Sequence, residues 1–187
     1  EKDKSILEKI SILLLNRIRL RKVISSKSSQ PAYNLAIHSV KMYNDLEKLG
    51  LYSRKTATYT VPENFKLNKH FWRGVIDGNG HVSTNKENNV FDFKIGICGT
   101  NSVCQGFKDY INFLSYSNDN AIGKPNINTC TFDFSTYAFG GKHALKFCQE
   151  FYDDKGDLFI ERKYDKFLQG LENYKNSAKY EPNYLKK

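Results

Sequence analysis

Phe71-Trp-Arg-Gly-Val-Ile-Asp-Gly-Asn-Gly80 is the stretch on which the reading of this 187-residue chain turns. Its apolar residues Phe71, Trp72, Val75 and Ile76 give a helix a side to bury, while Gly74 and Gly78 leave it bare of side chains. Small residues four apart let a second helix approach closely, so the spacing implies a partner helix. The segment closes in Asp77-Gly-Asn-Gly80. An acidic group at the C-terminal end of a helix meets the partial negative charge of the macrodipole and invites a cation. Two such helices side by side would bring two carboxylates together, a suitable cradle for Mg²⁺. The same residues also fit a buried helix ending in a Gly-rich turn, with Asp77 and Asn79 bonded to backbone groups.

Outward from this segment the chain alternates helical and strand patterns. Asn68 begins the helix, which runs to 77 and leads into strands near 80 to 86 and 89 to 98, the latter with Phe91, Phe93, Ile95 and Ile97 on one face. Asn101 is placed to cap a helix bearing Val103, Cys104, Phe107, Ile111 and Leu114. Two strands are expected near 121 to 127 and 129 to 137, then helices near 141 to 152 and 161 to 175 and a polar, basic tail. Upstream, Ser5 with Glu8 makes a capping box for a helix over 5 to 15. Arg17-Ile-Arg-Leu-Arg21 alternates so that a strand carries Arg17, Arg19 and Arg21 on one face. Tyr33 to Ile37 alternates again, and Ser39 caps a helix with Met42, Tyr43, Leu46 and Leu49, closed by Gly50. The order α-β-β-α-β-β-α is complete after residue 67 and partial before it. The predicted organisation is therefore a partial first repeat over 1 to 66, a complete second one over 67 to 175, and a basic tail over 176 to 187. Arg54-Lys55 follows the Ser39 helix much as Arg162-Lys163 follows the helix at 141 to 152.

Composition bounds the function. The 29 Lys and Arg against 20 Asp and Glu give a net charge of +9, which favours a polyanionic partner, and 40% apolar residues suffice for an ordinary core. No apolar run approaches the roughly 18 residues of a membrane span, since Ile10 to Leu15 is the longest. The opening Glu-Lys-Asp-Lys-Ser shows no secretory signal, so an intracellular location is expected. Cys98, Cys104, Cys130 and Cys148 form no CxxC pair and read as reduced core residues, and the four histidines form no metal-spaced pair. Abundant Lys, Asn, Ile, Tyr and Phe fit AT-rich coding DNA, hence an organelle such as the mitochondrion, or a phage.

Trp72 to Gly80 (WRGVIDGNG) resembles the LAGLIDADG motif of homing endonucleases, closest to the subset written Arg-Gly and Asp-Gly-Asp-Gly. The resemblance extends to Leu49-Gly50, Arg54-Lys55 and Pro62 before the motif and to Leu158-Phe-Ile-Glu-Arg-Lys-Tyr164 after it. It implies an α/β fold of αββαββα repeats whose antiparallel, saddle-shaped sheets sit in a DNA major groove, with two motif helices packed at the centre. It also implies that Gly74 and Gly78 lie at helix contacts and that Lys55 and Lys163 are pocket lysines. Asn79 then stands at the metal-binding acid, with the Gly80 backbone a weak further ligand, and Mg²⁺ is the cofactor if the site is active.

Two departures shape the functional expectation. Asn79 lacks the negative charge, and a neutral amide is a poorer ligand for Mg²⁺ than a carboxylate. The chain also carries one motif where the family uses two, so either an upstream segment or another chain supplies the second helix, or the nuclease centre has been discarded. Nucleic-acid binding is less affected. Arg17, Arg19 and Arg21 on one strand, and His81, Ser83 and Asn85 on the strand after the motif, form polar faces suited to phosphates or base edges, with Lys86, Lys94 and Lys124 adding nonspecific attraction. The expectation is a nucleic-acid-binding protein, duplex DNA favoured, with weak or no cleavage. The alternatives are an active endonuclease or nickase completed by a second motif, and an RNA-binding maturase or organellar ribosome component.

Overall fold

The strongest element is an antiparallel sheet built by the residues after the motif. A computed structural model of the protein describes residues 3–14, 20–23, 32–52, 58–87, 90–116 and 134–185. Strand β3 (Gly80–Glu87) pairs with β4 (Val90–Thr100) from Gly80↔Ile97 to Glu87↔Val90, and β4 pairs on its other edge with β5 (Phe134–Gly140) from Lys94↔Gly140 to Thr100↔Phe134. Alternation in β4 sends Phe93, Ile95 and Ile97 into the core, where all three are fully buried, and leaves Lys94 and Cys98 exposed. The described helices that pack on this sheet cover its apolar face. These are α3 (Lys69–Asn79), α4 (Asn101–Ile111), α5 (Gly141–Tyr152) and α6 (Glu161–Lys175). The mixed helical and antiparallel-sheet class expected from the sequence is the one found, as two layers around one aromatic core.

Local chemistry sets the helix starts. The Asn68 side chain accepts the Phe71 N–H at 2.9 Å, and the Ser39 hydroxyl accepts the Met42 N–H at 3.1 Å to start α2 (Val40–Lys48). Two expected caps differ. Thr100, not Asn101, caps α4 by accepting the Val103 N–H at 3.2 Å, while Asn101 takes the Ser135 hydroxyl. The first helix, α1 (Lys4–Leu13), begins before Ser5, so Ser5 and Glu8 lie inside it and Glu8 pairs with Lys4 instead of closing a capping box.

The upstream half is built but contributes almost nothing to the core. Strand β1 (Leu20–Val23) pairs with β2 (Ala32–Leu35) in a two-stranded sheet, against which α1 rests. Among the described residues before Val61, Ser11 alone is buried. The apolar side chains of Ile12, Leu13, Val23, Tyr43 and Leu46 are exposed, and Val40 is 77% exposed. α1, α2 and the two-stranded sheet thus keep apolar side chains exposed among the described residues. The expected strand near 121 to 127 lies outside the described residues, as do Arg17, Arg19, Lys55, Lys124 and Cys130.

The stretch expected as a basic tail folds back in its described part. The Glu181 N–H donates to the Tyr174 hydroxyl at 3.1 Å, Lys142 pairs with Glu181 at 2.6 Å, and Tyr184 meets His143 at 2.6 Å, tying the segment to α5 and α6.

Gly170 is where α6 crosses closest to the sheet, because a Cβ built there collides with the buried Phe93 ring. Gly170→Ala should therefore lower stability by about 1–3 kcal/mol, despite the better helix propensity of Ala, as read from chemical denaturation midpoints.

Candidate nucleic-acid interface

The candidate site begins where α3 becomes β3 with no intervening loop. Burial of Trp72 and Ile76 fixes the helix against the core, and the Trp72 indole N–H donates to the Lys66 carbonyl at 2.7 Å. Gly80 is required by close approach, since a Cβ there would lie 2.5 Å from the Ile76 carbonyl oxygen and 2.9 Å from that of Gly96. Arg73, 5% exposed, donates to the Phe151 carbonyl and the Asp154 carboxylate, each at 3.2 Å, and so binds the motif helix to the end of α5.

The last carbonyls of a helix have no intrahelical partner. At this helix end the Gly80 N–H returns to the Ile76 carbonyl, and a second donor comes from Lys163, which projects from the first turn of α6 and is only 3% exposed. Its ammonium donates to the carbonyls of Ile76, Asp77 and Gly80, the latter two at 2.7 Å. Positive charge at a helix C-terminus complements the macrodipole. Burial, and then Arg162, lower the Lys163 pKa, against the opposing pull of Asp77. The lysine expected to line a reaction pocket thus directs its charge at backbone. Asp77 interlocks the same two helices from the other side, its Oδ2 accepting the Ile160 N–H at 3.2 Å while Oδ1 is buried with no hydrogen-bond partner among the described residues.

From this junction β3 carries His81, Ser83 and Asn85 onto the open face of the sheet, all three exposed. Register sets them opposite Gly96, Lys94 and Asp92, respectively, and Lys94 pairs with Asp92 at 3.2 Å. Gly96 is buried on this face, where a Cβ would meet Ala138 Cβ and His81 Cε1, each at 2.6 Å. Desolvation of the His81 ring, with the Lys163 charge behind it, holds its pKa below the ordinary histidine value, so it is a neutral hydrogen-bonding group at neutral pH. Lys86 has the register parity of Thr84 and faces Phe91 across the ladder, which separates it from the set of His81, Ser83 and Asn85. Arg21 is exposed on β1, and its expected companions Arg17 and Arg19 lie outside the described residues.

The residues at the end of α3 do not fit Mg²⁺. Asn79 is exposed and offers a neutral amide, Asp77 is engaged with Ile160, and the Gly80 carbonyl is already held by an ammonium. A small hard cation wants carboxylate and carbonyl oxygens in near-octahedral order, not a neighbouring positive charge. Among the described residues, no group of three His, Cys, Asp or Glu side chains could hold a metal.

On the opposite side of α3, nothing described lies within 4 Å of a Cβ built on Gly74 or Gly78. The Gly74 side opens into a hollow of about 820 Å³ lined by Ile12, Leu13, Asp77 and Leu158. The helix contact expected for these glycines is not supplied by any described residue.

No family model matches the chain, and no curated protein matches it in sequence. Among solved structures it is similar to the homing endonuclease I-CvuI, crystallised with the I-CreI target in 2 mM Mg with the DNA not cleaved. That similarity covers 65% of this chain and 75% of the other, at 12% identity and a TM-score of 0.41. No described helix is long and apolar enough to cross a membrane.

Several residues of the open face escape a reading aimed at the core. Asp92, Gly96 and Cys98 have the other parity of the same strand that gives Phe91, Phe93, Ile95 and Ile97. Cys98 is exposed, unlike the core cysteines Cys104 and Cys148, and all three are free thiols.

Asp77 supplies a pH signature. Desolvation raises its pKa above 3.8, outweighing the Ile160 N–H and the charges of Lys163, Arg73 and Arg162. With the folded value above the unfolded one, the stabilising contribution is complete below the unfolded value and is lost as pH rises through the folded one. Asp77→Asn should remove this dependence, so that in denaturation series the variant gains on the wild type as pH rises from 3.8 through the raised value.

Proposed function

We propose that this chain is a nucleic-acid-binding protein of LAGLIDADG homing-endonuclease descent. In this reading it binds duplex DNA on the open face of β3, β4 and β5 with weak or no cleavage. The observation that carries the reading is the end of α3. The motif's last acidic position is the neutral, exposed Asn79, and the Gly80 carbonyl beside it is held by Lys163. The charge of +9 and the polar face, with Lys94 and the hydrogen-bonding groups of His81, Ser83 and Asn85, support a polyanionic partner read at short range.

The bare Gly74 and Gly78 face supports a second helix as part of the functional assembly, supplied by an upstream segment or by another chain. The exposed apolar residues of α1 and α2 support the same incompleteness, since an uncovered amphipathic face is stable only when something buries it. In this reading Mg²⁺ is not needed for binding.

The test is a duplex-binding and cleavage assay on the purified chain with Mg²⁺, together with recovery of whatever nucleic acid copurifies. The expected result is salt-dependent duplex binding with the bound DNA left intact. Rapid double-strand cleavage would overturn the loss of activity, and copurification of one defined RNA would replace DNA by RNA as the partner. Gly74→Leu should leave the chain's own stability nearly unchanged, because the space there is open, while abolishing association with a partner helix measured by sedimentation.

A further inference from the structure

The end of α3 holds a feature that loss of an acid does not account for. Lys163 has three N–H donors and meets three acceptors, the carbonyls of Ile76, Asp77 and Gly80. Its hydrogen-bonding capacity is therefore complete within the protein. None is left for a phosphate, a water nucleophile or a leaving group, so Lys163 is a positioning residue and not an acid, base or phosphate ligand. We propose that the Lys163 ammonium is a resident cation at the carbonyl-lined end of α3, occupying by itself the place a divalent ion would need.

Three further observations support this. Helix C-terminal carbonyls carry concentrated partial negative charge, and only 3% of Lys163 is exposed, so solvent does little to screen the ammonium among them. Arg162, the preceding residue, is engaged by Asp3 at 2.7 and 2.9 Å, so the Asp3 carboxylate is spent on that guanidinium. The nearest carboxylate, Asp77, is turned to the Ile160 N–H at 3.2 Å. A divalent ion brought to the Gly80 carbonyl would face the ammonium at short range with no compensating anion from Asn79. The consequence is an order of effects: restoring the acid alone does not restore a metal site while the lysine remains. Through the nucleic-acid reading above, on which this second consequence rests, the open face should bind duplex equally with or without divalent ions. The turn that presents His81 is held by Lys163 instead.

The experiment titrates Mn²⁺, followed by its paramagnetic resonance signal, into the full chain as wild type, Asn79→Asp, and Asn79→Asp with Lys163→Met. Duplex affinity is measured alongside in Mg²⁺ and in chelator at matched ionic strength. Expected are no saturable Mn²⁺ site in the wild type or in Asn79→Asp, and one site in the double variant. The wild-type duplex affinity should change by less than about twofold between Mg²⁺ and chelator. A one-to-one Mn²⁺ site in the wild type or in Asn79→Asp would overturn the proposal, and neither protein depends on the tolerance of the fold for losing Lys163. A folded double variant that binds Mn²⁺ no better than Asn79→Asp would overturn it equally. If the wild type binds no nucleic acid while the Mn²⁺ results are as expected, the nucleic-acid reading falls and the resident cation stands.

Discussion

The carbonyls of Ile76, Asp77 and Gly80, where α3 becomes β3, converge on one buried ammonium, and the rest of the candidate site depends on that contact. α3 passes into β3 at Gly80 without a loop, and the Gly80 N–H returns to the Ile76 carbonyl, leaving the carbonyls at this junction open to a further donor. Lys163 satisfies them from α6, and Asp77 returns the bond by accepting the first free N–H of α6 at Ile160. Each helix end thus completes the other, as the complementary partial charges of a C-terminus and an N-terminus require. The junction fixes the angle at which β3 leaves, and with it the exposure of His81, Ser83 and Asn85.

The second organising fact is the unequal distribution of burial. From Val61 onward the chain encloses Trp72, Phe107, Tyr137, Phe147 and Phe151 in contacting aromatic pairs such as Trp72 with Phe107 at 5.3 Å and Phe147 with Phe151 at 4.9 Å. The described residues before it have correct amphipathic patterns but no interior of their own. Polar ties such as Lys9 to Glu161 and Arg162 to Asp3 hold α1 to the start of α6, at the exposed surface where ion pairs contribute little. The exposed Ile12 and Leu13 of α1 and the bare Gly74 of α3 border the same hollow.

Much of this was legible in the residues because it follows from period and caps. The 2-residue alternation of Phe91, Phe93, Ile95 and Ile97 announced β4 and its core face, and Asn68 and Ser39 marked two helix starts by their side-chain chemistry. The α4 cap fell one residue early because Thr100 and Asn101 are both competent caps, and only the placement of Ser135 decides between them. Ser5 and Glu8 have capping-box spacing, yet the helix begins before them and Glu8 finds Lys4. The role of Lys163 could not be read locally, since its acceptors lie more than 80 positions away and spacing carries no sign of them. Arg73 was invisible for the same reason: its partner carbonyl at Phe151 belongs to another helix.

The claim that the open face of β3, β4 and β5 is the nucleic-acid surface is tested most directly by amide chemical-shift mapping of the labelled chain during titration with a duplex. The account predicts perturbations over residues 81–85, 92–98 and 136–140, with α4 and α5 beneath the sheet unaffected. Perturbations confined to α4 and α5, with the strand amides unmoved at saturation, would contradict it.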